Sequence, residues 1–111
     1  MTQHSFEGPH ISIAAYRPKP GQEEALRAVV AGHVPLLRAE GLATERAPVV
    51  MQAADGTVLE VFEWVSSAAI GAAHENPRVQ ALWVRFNAAC DYVALKDLAE
   101  AQGLFAGFRP L

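Results

Sequence analysis

Cysteine occurs once in the 111 residues, at Cys90. An internal disulfide and a multi-cysteine zinc site are therefore excluded. Positive charge is scarce as well. Nine Lys and Arg stand against twelve Asp and Glu, a net charge of -3. That balance lacks the basic patches that nucleic acid and anionic membranes call for, so neither is expected as a partner. No apolar run approaches the roughly 20 residues that span a bilayer. The start, Met1 to Gly8, has no basic side chain of Lys or Arg and no apolar run. It does not read as a secretory signal, and the cytoplasm is the expected location. Glycine forms no phosphate-binding loop, since Gly103 and Gly107 stand in an apolar tail. No two histidines share the i, i+4 spacing of a helical metal site. Neither a metal nor a cofactor is expected.

What remains is apolar: 51% of residues are hydrophobic and 19% charged. This suits one packed domain over 1–111, with a core over about 10–95 and a tail over 97–111. Met1 to Pro9 is polar and reads as a loose lead. His10 to Tyr16 reads as a strand, with Ile11 and Ile13 alternating. Arg17 to Gly21 is a turn, because two prolines and a glycine cannot continue a strand. Glu23 and Glu24 favour a helix start, and Leu26, Val29, Val30, His33 and Leu37 follow at helical spacing up to Gly41. Pro35 is expected to kink this helix or split off its last turn. Thr44 to Ala53 reads as a second strand, with Pro48 marking an edge or a bulge. Asp55-Gly56 predicts a two-residue hairpin turn into a third strand, Thr57 to Val65.

Ser66 and Ser67 cap a short helix through His74. Asn76-Pro77 opens the next, whose stripe is Val79, Leu82, Trp83, Phe86 and Ala89. Asp91 to Leu95 fits a last strand. Asp97 and Glu100 resemble a capping box for a terminal helix carrying Leu98, Ala101, Leu104 and Phe105. The order predicts an α+β fold: a ferredoxin-like β-α-β-β-α-β unit with a four-stranded antiparallel sheet and two helices on one face. In the third strand Leu59, Val61 and Val65 share a face with Glu63, and Val58, Phe62 and Trp64 share the other with Glu60. Both faces are apolar. Phe62 and Trp64 are therefore expected on an uncovered face that a two-fold dimer closes sheet on sheet. The alternative cover is the C-terminal segment, whose large apolar residues predict that it docks.

Phe62-Glu63-Trp64-Val65-Ser66-Ser67, then Ala68, Ala69, Ile70, Ala73 and His74, then Asn76-Pro77, resembles the antibiotic biosynthesis monooxygenase family of dimeric α+β barrels. The resemblance covers about His10 to Leu95. It implies a homodimer with a hydrophobic pocket in each subunit. It also implies a cofactor-independent monooxygenase-like activity on a small aromatic phenol. The same scaffold carries non-catalytic ligand-binding members, and a related isomerase or decarboxylase-like activity is a third reading. Haem degradation, another activity of the superfamily, is disfavoured. Its members use an asparagine on the first strand and a histidine on the later helix, where this chain has Ala14 and the stretch around Leu82-Trp83.

Three titratable residues are candidates for catalysis: His33 on the inward stripe of the first long helix, His74 at the end of the short helix, and Glu63 on the third strand. A carboxylate beside an imidazole orients it and suits it to general acid–base work near neutral pH. The competing role for Glu63 and His74 is a plain structural tie of the short helix to the sheet, since buried polar groups need partners. Tyr16, Trp64, Trp83 and Phe86 are candidates for lining a site for a flat apolar molecule. Core packing is the competing role, above all for Trp83 and Phe86. Cys90, without a basic neighbour in sequence, reads as an inert thiol.

Overall fold

The computed structural model describes residues 8–111. His4 and most of the expected loose lead lie outside them. The first strand, β1, spans His10–Pro18 and runs into helix α1, Glu23–Ala39. Leu26, Val29, Val30, His33, Val34 and Leu37 form the buried stripe of α1, with Glu23 and Glu24 in its first turn and Arg38 in its last. These charges oppose the helix dipole at each end. Pro35 does not split the helix, which continues to Ala39. The six-residue buried stripe outweighs the cost of one proline, about 3 kcal/mol. Gly41 then takes φ +76° and turns the chain away, as a glycine can without strain.

Strand β2 is short, Val49–Gln52. The expected strand from Thr44 survives only as an isolated bridge of Ala43 to Trp64 and a hydrogen bond from Thr44 N to Glu63 O. Pro48 cannot donate to a ladder, and the chain bends before it. The hairpin into β3, Val58–Trp64, has a three-residue loop, 54–56, rather than a two-residue turn. Gly56 N donates to Ala53 O, and Ala53 N donates to Thr57 O. Only Gly56, at φ +94°, has a positive φ here, and the expected turn needs one at Asp55 as well. Asp55 instead accepts from Thr57 N at 2.8 Å.

Helix α2, Ser67–His74, is capped by the Ser66 side chain, which accepts from Ala69 N. Helix α3, Pro77–Ala89, is capped by Asn76, which accepts from Arg78 N and Val79 N, with Pro77 in the first turn. Both starts match the sequence reading. Strand β4 follows at once as Cys90–Val93. No terminal α-helix forms among the described residues. The tail makes two 3₁₀ turns, Leu95–Asp97 and Ala99–Gln102, and a two-residue strand β5, Arg109–Pro110. Glu100 caps no helix; its carboxylate accepts from Ala54 N at 2.8 Å, pinning the tail to the hairpin.

One antiparallel sheet of five strands results, in the order β4-β1-β3-β2-β5. Its register sets Tyr16 against Val58, Ala14 against Glu60 and Ser12 against Phe62. Opposed residues of antiparallel strands share a face. The face with Val58, Glu60, Phe62 and Trp64 lies under the helices. Phe62 and Trp64 are buried with Val34, Leu37, Ala69, Ala73 and Val79. They are therefore core residues, and the expected dimer contact through them is corrected. The alternating pattern of β3 reveals two apolar faces, but which one meets the helices is decided by the packing of the whole chain.

The opposite face is half covered. Leu98 from the tail packs on Ala15, Ala53 and Leu59, with Met51, Val93, Ala101 and Phe108 around them. The other half is open: Ile11, Ile13 and Val49 are 54%, 51% and 55% exposed. Leu104 and Phe105 do not dock; they are 92% and 88% exposed. The tail is thus held through Leu98. Leu98→Ala should cost about 2–5 kcal/mol, the usual range for a fully buried leucine. Leu104→Ala and Phe105→Ala should stay within about 0.5 kcal/mol. Urea unfolding of the three variants checks this.

Candidate functional site

Glu60 is the least expected residue of the interior. It is fully buried, flanked on its face by Ala14 and Val50. A carboxylate there must find partners or it is strongly destabilising. Two side chains converge on one of its oxygens. Tyr16 Oη donates to Glu60 Oε1 at 2.7 Å. His33 Nδ1 lies 2.8 Å from the same atom. The second oxygen, Oε2, has no hydrogen-bond partner.

The far side of His33 fixes its tautomer. Trp83 Nε1 donates to His33 Nε2 at 3.3 Å. An indole N–H can only donate, so Nε2 accepts and the ring proton sits on Nδ1, directed at Glu60. The chain of bonds runs from Trp83 through His33 to Glu60, and from Tyr16 to the same carboxylate. Rings hold it in place. His33 meets Phe62 and Phe86 edge to face, with centroids 5.2 and 5.0 Å apart. Tyr16 packs on Phe86 at 4.8 Å. Burial raises the Tyr16 pKa far above its ordinary value, and the Glu60 charge adds to the effect. Tyr16 is therefore a fixed donor.

These residues border a cleft of about 460 Å³ between the sheet and the helices, lined by Ser12, Ala14, Tyr16, His33, Phe62, Trp64, Ile70, His74, Trp83, Phe86, Asn87 and Tyr92. Of the seven site residues read from sequence, six line this cleft: His33, His74, Tyr16, Trp64, Trp83 and Phe86. His74 is exposed at its rim, its ring edge-on to Trp83 at 4.9 Å. Trp64 is anchored by its own N–H, which donates to Ser12 Oγ at 3.0 Å.

Glu63 is absent from the cleft. Its carboxylate accepts from Thr44 Oγ1 at 2.8 Å and lies 3.2 Å from Arg46 Nε. The Thr44 bond, with Arg46 beside it, holds its pKa below the ordinary value. It sits one residue out of phase with Phe62 and Trp64, on the other face. The expected Glu63–His74 pair is therefore corrected: the carboxylate that serves a histidine is Glu60, and the histidine is His33. The signal was in the sequence. Glu60 alternates with Phe62 and Trp64, whereas Glu63 does not.

Cys90 is buried and donates to Phe86 O at 3.2 Å. Burial, with Asp91 nearby, pushes its thiol up to about 11. That leaves it protonated and unreactive near neutral pH. Among the described residues no group of three His, Cys, Asp or Glu is placed to hold a metal ion. No helix there is long and apolar enough to cross a membrane.

No family model matches the chain, and no curated protein matches it. Solved structures do. Rv0793 from Mycobacterium tuberculosis aligns with a TM-score of 0.60 at 22% identity, over 82% of this chain and 98% of that one. SO0527 from Shewanella oneidensis aligns with a TM-score of 0.60 at 20% identity, over 79% of this chain and 86% of that one. At such identities the likeness is one of fold.

The Tyr16 bond to Glu60 is open to a direct check. Tyr16→Phe removes one of two donors from a buried carboxylate and should cost about 1.5–3 kcal/mol, the range for a hydrogen bond to a charged group. Tyr92→Phe, at a ring 57% exposed, should change stability little. Chemical denaturation of both variants measures the difference.

Proposed function

We propose that the chain is a cofactor-independent monooxygenase-like enzyme acting on a small aromatic phenol, similar to the antibiotic biosynthesis monooxygenases and built on the same ferredoxin-like unit. One observation carries the reading: His33, backed by Glu60 at 2.8 Å, borders an aromatic-walled cleft. Glu60 orients the imidazole, as a carboxylate does behind a general base. His33 Nε2 takes the proton of a phenol. The Trp83 N–H, at 3.3 Å, is a long and readily exchanged bond. The phenolate carries negative charge onto a ring carbon. That carbon gives one electron to O2 and then combines with the reduced oxygen as a hydroperoxide. Loss of the ring proton breaks the O–O bond. One oxygen stays as a quinone carbonyl and the other leaves as water. The phenol is oxidised, O2 is reduced, and no external electron donor is needed.

A second reading has its own observation. Tyr16, Glu60, His33 and Trp83 are bonded to one another, as a structural network in a ligand-binding protein would be. Oxygen uptake with a panel of phenols separates the two. Under the enzymatic reading the wild type consumes O2, and His33→Ala and His33→Gln lower kcat about 10²–10⁴-fold, the usual worth of a general base. Ligand binding without O2 uptake by the wild type leaves the non-catalytic reading.

The assembly we propose is a cytoplasmic homodimer closed through the open half of the sheet. Ile11, Ile13 and Val49, with Val61 beside them, form an apolar patch of the kind monomers seldom leave in water. Ile11→Glu combined with Ile13→Glu should yield monomers in sedimentation equilibrium. A monomeric wild type at micromolar concentration would overturn this assembly.

A further inference from the structure

Tyrosine occurs twice in the chain, at Tyr16 and Tyr92, and the fold sets the two side by side. They are opposed partners on β1 and β4, with ring centroids 5.9 Å apart, edge to face. One is inside and the other outside: Tyr16 is 3% exposed and Tyr92 57%. A phenol ring can give up one electron. Whether it does so depends on its proton, because an oxidised phenol is a strong acid and sheds the proton as the electron leaves.

Tyr16 has the acceptor in place. Its Oη donates to Glu60 Oε1 at 2.7 Å, and that carboxylate is fully buried. Electron loss here changes the buried charge in the favourable direction. Beforehand the pair is a neutral phenol and a carboxylate with one oxygen unpartnered. Afterwards it is a neutral phenoxyl radical and a neutral carboxylic acid, so the buried negative charge is gone. A buried phenol among neutral neighbours would be left positively charged or without a base for its proton. The proton moves across one hydrogen bond only, while His33 Nδ1 holds Glu60 from the helix at 2.8 Å. The two indoles lack such a partner. Trp64 Nε1 donates to the Ser12 hydroxyl at 3.0 Å, and Trp83 Nε1 to the neutral His33 ring at 3.3 Å.

We propose that Tyr16 and Glu60 form a proton-coupled redox site for small nitrogen- or oxygen-centred radicals, with Tyr92 as its lead to the surface. The radical takes one electron and becomes an anion. Tyr16 is oxidised: its O–H bond breaks, and the proton forms a new O–H bond to Glu60 Oε1. One electron from an enediolate reductant in solution, passed through Tyr92, restores Tyr16 as the proton returns. The site needs only these three side chains and does not depend on His33 acting as a base on a phenol.

Pulse radiolysis of azide solutions at low dose tests it. The azide radical takes one electron from a phenol or indole ring and leaves as azide anion. The wild type and Tyr92→Phe should both end with a tyrosyl radical that decays in first order, independent of protein concentration, because the buried ring cannot meet another chain. In Tyr92→Phe that signal should grow in at least fivefold more slowly. Tyr16→Phe should leave only exposed Tyr92 radicals, which pair between chains to dityrosine in second order. Wild-type growth should not change with phosphate concentration, since Glu60 is the base, and Glu60→Gln should slow it at least tenfold. Second-order decay in the wild type, first-order decay that survives in Tyr16→Phe, or growth that quickens with phosphate would overturn the site. So would growth unslowed in Tyr92→Phe or Glu60→Gln. The phosphate and concentration series use the wild type alone, so they decide the matter even if Glu60→Gln does not fold.

Discussion

A carboxylate with no access to water organises this molecule. Removing such a group from solvent costs several kcal/mol unless its partners are well placed. Glu60 is fully buried and shows how the cost is met. Tyr16 comes from the strand beside it and His33 from the helix above it. Trp83 then fixes the histidine from the second long helix. Sheet, α1 and α3 are joined by one hydrogen-bonded chain, and the cleft is the space that this chain borders. The packing of α1 against α3 is thereby a condition of the site, since both helices supply members of the network.

The remaining oxygen of Glu60 is unsatisfied, an unusual state for a buried polar atom. Both partners crowd onto Oε1, which concentrates the charge interaction on the His33 side. The imidazole is thereby held from both sides, by Glu60 at Nδ1 and by Trp83 at Nε2. The arrangement also separates two aromatic roles. Phe62 and Phe86 steady the imidazole, whereas Trp64 is turned aside by its bond to Ser12.

Much of this was legible from residue order, and the rest for definite reasons was not. Ser66 and Asn76-Pro77 carry their own capping chemistry, so α2 and α3 begin where the sequence placed them. Local chemistry also stops α1 at Gly41. Pro48 shortened β2 beyond expectation, because its effect reaches back to Thr44 through the bend before it. The terminal helix failed since Glu100 bonds Ala54 across the fold rather than its own backbone. At the site, helical period put His33 inside and strand alternation put Glu60 beside Phe62 and Trp64. The family-like motif points to Glu63, whereas the phase of the strand points to Glu60. The phase is a property of the strand, but its meaning depends on where the helices lie, which no local pattern contains.

Strand β3 carries Glu60, Phe62 and Trp64 to one side and Leu59, Val61 and Glu63 to the other. Only one backbone layer divides them. The buried hydrogen-bonded network and the open apolar patch are therefore encoded by interleaved positions of the same seven-residue strand. Odd positions face the docked tail and the open apolar patch, and even positions the cleft. Sequence change can remodel the cleft while leaving the open apolar face intact, or the reverse, provided it respects parity along this strand. An insertion or deletion of one residue within β3 has no such freedom: it exchanges the two programmes at a stroke, placing Val61 against His33 and the carboxylate in the open face.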